Sequence, residues 1–193
     1  LQEIQPHGPY YLGGWSMGGV VAWEMARQLE EVGQEVALLA LIDSYAPKAM
    51  SEKKQMDAAT LANSLAADLG GIFGTELSIS AYDIEQLQPE EQLQHIFTTA
   101  KRQNLLPPEV GIEQMRQLFE VFKANRVAVT NYQPQPYSGR IVQFCASSPE
   151  ANRGWSSLVT GKLDTYMIPG DHYGMMRSPH VQVLAQKLGA CLN

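Results

Sequence analysis

Residues 13–19 read Gly-Gly-Trp-Ser-Met-Gly-Gly and stand where an apolar run meets a helical pattern. Tyr10, Tyr11 and Leu12 read as the end of a buried strand, and Val20, Val21, Trp23, Met25 and Leu29 recur as the apolar positions of a helix. A serine between glycines at such a junction forms a nucleophile elbow, a turn so sharp that the serine backbone is strained and neighbouring main chain comes close. Gly14 and Gly18, on either side, are expected where a Cβ has no room. The Ser16 hydroxyl is then exposed at the strand's carboxyl end. The helix beginning beside it aims free N–H groups at the same point, and the Met17 N–H can donate to an oxygen that becomes negative. The plainer alternative is a glycine-rich turn with an incidental serine, and the strand before and helix after weigh against it.

The rest of the chain supplies strands of the same kind. Val36 to Ile42 is nearly all apolar, as in a parallel strand covered on both faces, and Asp43 ends it. Ile141 to Ala146 is a second such run, and Asp164 to Ile168 a third, leading into Pro169-Gly170-Asp171-His172. The helix after the elbow is expected over 17 to about 32, stopped by Gly33. Strands alternating with helices predict an α/β domain with a mainly parallel sheet.

Between Asp43 and Ile141 lie 97 residues, far more than one crossover helix needs. Met56, Ala59, Ala62 and Leu65 recur at helical spacing; Pro89 opens a second helix through Leu93, Ile96 and Phe97; Ile112, Met115, Phe119, Phe122 and Val129 mark a third. The segment from about 50 to 131 therefore reads as a helical insertion above the strand ends, a lid, within one domain covering 1–193.

A serine hydroxyl is a poor nucleophile until a base takes its proton, so a histidine is required. Of the four present, His7 lies at the wrong end of the elbow strand, His95 within an insertion helix, and His180 after Ser178-Pro179, which read as cap and first residue of the terminal helix. His172 alone follows the last strand in a loop that can approach the sheet's carboxyl edge. The acid that orients it is left between Asp43 and Glu150, each just past a strand; Asp43 has the sharper context, beside the elbow strand. Asp171, adjacent to His172, is expected to hydrogen-bond its own turn.

Composition sets outer bounds. The formal charge of −6 argues against nucleic acid or an anionic membrane as the main partner. No run is long and apolar enough to span a bilayer, and the opening residues are not expected to form a signal peptide. Cys145 and Cys191 lack metal-ligand spacing and read as unpaired, buried thiols in a reducing cytoplasm.

The stretch Gly13 to Gly19, with Gln5-Pro6-His7-Gly8-Pro9-Tyr10 before it, Leu41-Ile42-Asp43-Ser44-Tyr45 after the next strand and Gly170-Asp171-His172-Tyr173 near the end, resembles the terminal thioesterase domains of non-ribosomal peptide and polyketide synthases. The resemblance spans nearly the whole chain and is weakest in the insertion. It implies an α/β-hydrolase fold with a helical lid, and it favours Asp43 over Glu150, giving the triad Ser16, Asp43 and His172. It also implies that the strands usually preceding the elbow, with the loop that carries a second oxyanion donor, are absent from this sequence.

The activity so implied is release of an acyl or peptidyl chain from a carrier-protein phosphopantetheine thioester, by hydrolysis or cyclisation through an acyl-serine. The partner is an acyl or peptidyl carrier protein, and the enzyme needs no metal or organic cofactor of its own. Two alternatives stand beside it: a stand-alone esterase, lipase or proofreading thioesterase with the same triad, and an inactive fragment or interaction module that keeps the elbow without a complete oxyanion hole.

Overall fold

The computed structural model describes residues 1, 3–47, 57–146 and 153–192. Met56 and Glu150, read above as a helix position and a candidate acid, lie outside the described residues. The chain divides into two compact units, one formed by Leu1–Glu52 with Val129–Asn193 and the other by Lys53–Ala128.

The first unit is built on four parallel strands, β1 (Tyr10–Trp15), β2 (Val36–Ile42), β3 (Ile141–Ala146) and β4 (Leu163–Ile168), neighbours in space in the order of sequence. The β2 side chains explain why both faces must be covered. Leu39 and Leu41 enter one apolar cluster with Val20 and Trp23 of helix α1 (Met17–Glu31). Leu38 and Ala40 enter a second on the opposite face, with Leu184 and Cys191 of the terminal helix. Period-two alternation with no polar face leaves water no side of this strand to occupy. Each such leucine stabilises the fold by about 1.5–3 kcal/mol on burial. Cys145 and Cys191 are both free and buried.

Two local expectations are corrected. Tyr10 opens the elbow strand, which runs on through both glycines to Trp15, and Tyr11 is 56% exposed because β1 stands at the end of the described sheet. In the terminal helix, Pro179 occupies the cap position and no side chain caps the helix, so Ser178 does not serve as expected. The α1 boundary agrees with the sequence: Gly33, at φ 71°, takes the left-handed conformation that ends the helix.

The second unit is helical. Helix α2 (Ala58–Phe73) begins where the Asp57 carboxylate accepts the Thr60 N–H at 2.8 Å and ends at a left-handed Gly74. A short α3 (Ala81–Glu85) follows. Helix α4 (Pro89–Arg102) carries a capping box of Gln88 and Glu91, proline in its first turn and Lys101 and Arg102 in its last, all favourable to the helix dipole. Helix α5 (Ile112–Asn131) contributes Met115 and Phe119 to a core shared with Leu65, Leu69, Leu93 and Ile96. The terminal helix of the first unit is α6 (His180–Cys191). No helix among the described residues is long and apolar enough to cross a membrane.

Candidate active site

Strand register brings the carboxyl ends together. Trp15 pairs with Ile42, and Ile42 with Phe144. One residue further on, the Ser16 N–H donates to Ile42 O at 2.9 Å and the Asp43 N–H to Phe144 O at 2.7 Å, so Ser16 and Asp43 leave adjacent strands side by side.

Ser16 has φ 55° and ψ −125°, a strained backbone that non-glycine residues adopt where the surroundings force it. The force is visible at Gly14, where a Cβ would lie 2.0 Å from the Gly18 main chain. The expectation for the second flanking glycine is corrected: nothing lies within 4 Å of a Cβ at Gly18, and the crowded position is Gly19, whose Cβ would come 2.4 Å from Ser44 Cβ. The helix thus packs against the loop after β2 through Gly19. Met17 opens α1, and its N–H has no acceptor among the described residues.

Asp43 also has a positive φ, 42°, and is 2% exposed. Its two oxygens face different partners. Oδ2 lies 2.7 Å from His172 Nδ1, while Oδ1 accepts from the Ala146 N–H at 2.9 Å and from Arg153 Nη2 at 2.7 Å. Burial pushes this carboxyl up, but the His172 hydrogen bond, the Ala146 N–H and the Arg153 charge outweigh it and hold Asp43 below its ordinary range.

His172 stands in the loop after β4, as expected, with Gly170 at φ 96°. Asp171 shapes that loop, its Oδ1 accepting from the Tyr173 N–H at 3.1 Å and from the Gly174 N–H. The imidazole stacks on the Trp15 ring, centroids 4.9 Å apart and planes at 25°, and meets Tyr173 edge-on at 5.0 Å. Trp15 Nε1 donates to His172 O at 3.1 Å. Among the described residues the Ser16 hydroxyl makes no hydrogen bond, a common state before substrate binds. His7 precedes β1, His95 lies in α4 and His180 begins α6.

Sequence reasoning missed two contributors. Arg153 stands 110 residues from Asp43, and no local pattern marks a loop arginine for burial. Trp15 was visible inside the elbow motif, but its partner is 157 residues away. Further support comes from stacked tryptophans: Trp23 of α1 lies 4.5 Å from Trp155, whose Nε1 donates to Ser44 O at 2.9 Å, tying the helix to the loop that holds Asp43. Among the described residues no cluster of three His, Cys, Asp or Glu side chains is placed to hold a metal ion.

Comparison with known proteins identifies the family. The Thioesterase domain family matches residues 1–191. A non-reducing polyketide synthase of Nectria sp is 30% identical over 190 residues, covering 96% of this chain and 9% of that protein. A four-domain nonribosomal peptide synthetase, crystallised in its holo form with AMP and glycine, superposes with a TM-score of 0.90 and 34% identity over 98% of this chain and 15% of its own. The NocB thioesterase domain, solved as a covalent complex with a fluorophosphonate nocardicin G analogue, superposes over 100% of this chain and 70% of its own, with a TM-score of 0.67 and 23% identity, a likeness of fold. The chain spans a small part of the two synthases and about 70% of that separate domain. The parallel sheet covered by helices on both faces is that of an α/β-hydrolase, and the chain belongs to the thioesterase domain family.

Proposed function

We propose that this chain releases an acyl or peptidyl group from a carrier-protein phosphopantetheine thioester through an acyl-serine intermediate. The observation that carries the reading is the Asp43 Oδ2 to His172 Nδ1 contact at 2.7 Å beside a serine held at φ 55°. With Nδ1–H donated to Asp43, the imidazole presents Nε2 as an acceptor, the tautomer a general base needs.

Ser16 Oγ attacks the thioester carbonyl as its proton passes to His172 Nε2. The tetrahedral oxyanion takes the Met17 N–H, and the Asp43 carboxylate stabilises the imidazolium. Collapse breaks the C–S bond, and His172 returns the proton to the phosphopantetheine sulfur. Water then attacks the acyl-serine, its proton taken by His172; the bond from the acyl carbon to Ser16 Oγ breaks, His172 returns the proton to Oγ, and the free acid leaves, or a ring leaves where a nucleophile of the bound chain attacks instead. No metal or organic cofactor enters this scheme, because phosphopantetheine arrives on the carrier protein.

The test is labelling by a serine-directed fluorophosphonate, compared between the natural chain and Ser16→Ala, with intact-mass analysis of an acyl carrier protein before and after incubation. A single label lost in Ser16→Ala and an unloaded carrier support the reading. Turnover of simple esters with an untouched carrier would favour a stand-alone esterase. A serine that takes no label, with no turnover, would favour an inactive module.

A further inference from the structure

The loop that carries the candidate acid is gripped along its length by a short segment far away in sequence. Arg153 Nη2 donates to Asp43 Oδ1 at 2.7 Å, and the Arg153 guanidinium lies over the Tyr45 ring at 4.4 Å. The Ala46 N–H donates to Arg153 O at 2.8 Å, and Trp155 Nε1 to Ser44 O at 2.9 Å. Asp43, Ser44, Tyr45 and Ala46 are each held by Arg153 or Trp155. The Arg153 side chain is 0% exposed, and its Nη2 also reaches Ala146 O at 3.3 Å.

A fully buried guanidinium is costly to desolvate, and replacing a buried ion pair by apolar side chains is often neutral or stabilising. Stability alone therefore does not account for a cation at this place. Its position does have a chemical consequence. Because Oδ1 is occupied by the Ala146 N–H and by Arg153, only Oδ2 remains for His172, which fixes the direction of the acid–base contact. The Asp43 charge is also compensated on one side by the guanidinium.

We propose that Arg153 is a positioning residue for the Asp43–His172 pair: it occupies Oδ1 and so aims Oδ2 at His172, and its guanidinium offsets the carboxylate's charge beside the imidazole. This rests on the serine–histidine reading given above. Among the described residues, the titratable or charged groups facing the pair are Arg153 and Cys145 on the Asp43 side and Tyr173, with the neighbouring Asp171, on the His172 side. Burial pushes the Cys145 thiol up, so it stays neutral and contributes no competing charge.

The experiment compares the natural chain with Arg153→Gln, which keeps a donor and loses the charge, and Arg153→Lys, which keeps the charge and loses the planar fork. Two quantities are read: kcat and KM for an acyl N-acetylcysteamine thioester from pH 5 to 9, and the pH midpoint of the His172 ring C–H resonance, assigned with His172→Gln. In Arg153→Gln the acid limb of kcat/KM and the imidazole midpoint both move up by roughly one pH unit, with KM changed less than about twofold. In Arg153→Lys the midpoint stays within about 0.3 unit of the natural chain while kcat falls, because a single ammonium aims Oδ2 less firmly.

An Arg153→Gln chain that melts normally and keeps the natural midpoint overturns the proposal and leaves Arg153 a structural residue. If Arg153→Gln does not fold, the lysine variant decides, and a midpoint displaced by a full unit there overturns the proposal as well. Undiminished thioester turnover by Ser16→Ala would overturn the serine reading instead. The His172 resonance still reports on Arg153 in that case, so the two failures are separable.

Discussion

Trp15 and His172 touch twice: the indole stacks on the imidazole at a centroid distance of 4.9 Å, and its Nε1–H donates to the His172 carbonyl at 3.1 Å. One side chain thereby holds both the ring plane of the candidate base and the backbone that carries it. Because Trp15 immediately precedes Ser16, the same residue couples the elbow to the loop after β4.

The two contacts are separable by substitution. Trp15→Phe keeps a stacking ring and loses the N–H, and is expected to lower kcat about tenfold; Trp15→Leu loses both, and about a hundredfold loss is expected, as for a small misplacement of a catalytic group. KM for a short thioester should change little in either. An equal loss in both variants would show that the hydrogen bond, not the stack, positions His172.

Asp43→Asn is expected to lower kcat by about 10³ to 10⁴. Oδ1 faces two donors, the Ala146 N–H and Arg153 Nη2, so the amide oxygen must remain there and the NH₂ must turn toward His172. Nδ1 then becomes the acceptor and Nε2 carries the proton, which leaves no base for Ser16. Glu150→Gln is expected to be nearly silent. A larger loss at Glu150 than at Asp43 would reassign the acid.

The elbow glycines make a contrast that sequence spacing alone does not show. Gly14→Ala drives a methyl to within 2.0 Å of the Gly18 main chain and is expected to cost about 3 kcal/mol or more, with loss of Ser16 labelling. Gly18→Ala meets nothing within 4 Å and lies in α1, where alanine is favoured over glycine by roughly 0.5–1 kcal/mol. It should melt at or above the natural temperature. A destabilised Gly18→Ala would contradict the packing described for the start of α1.

Acid sensitivity should reside partly in a cluster away from the site. The hydrogen bond from Arg27 holds Glu24 at about 2, against burial and with help from Tyr132 and Gln28. A carboxylate depressed on folding stabilises the native state fully above its unfolded value, 4.5, and that contribution fades as pH falls from there toward about 2. Asp43, also held low, adds to the same trend. Glu24→Gln should cost about 0.5–1 kcal/mol at pH 7, the modest sum of a partly solvated pair, and should flatten the stability profile between pH 4.5 and 2. Chemical denaturation at a series of pH values checks this, and an unchanged acid slope would locate the sensitivity elsewhere.

The sequence by itself determined the elements whose signals are local. Val36 to Ile42 has no polar face and can only be a doubly covered strand; Gly33 stops α1 by the φ it permits; Pro89 with Gln88 and Glu91 starts α4 by satisfying its first N–H groups. Ser16 between close-set glycines, and His172 in a loop after an apolar strand, are equally local, as is Asp171, whose carboxylate closes its own turn. What only the tertiary structure decided depends on partners that stand in other elements of the chain, some of them more than a hundred residues away. The register of β1, β2 and β3 sets Ser16 beside Asp43, and the partition of the Asp43 oxygens between His172 and Arg153 follows from two loops meeting beyond separate strands. The same is true of the exposed Tyr11 and of Gly19, not Gly18, as the crowded glycine. Periodicity reports which face of an element avoids water; which element covers that face, and which buried charge meets another, is settled by packing, and packing leaves no local trace in the chain.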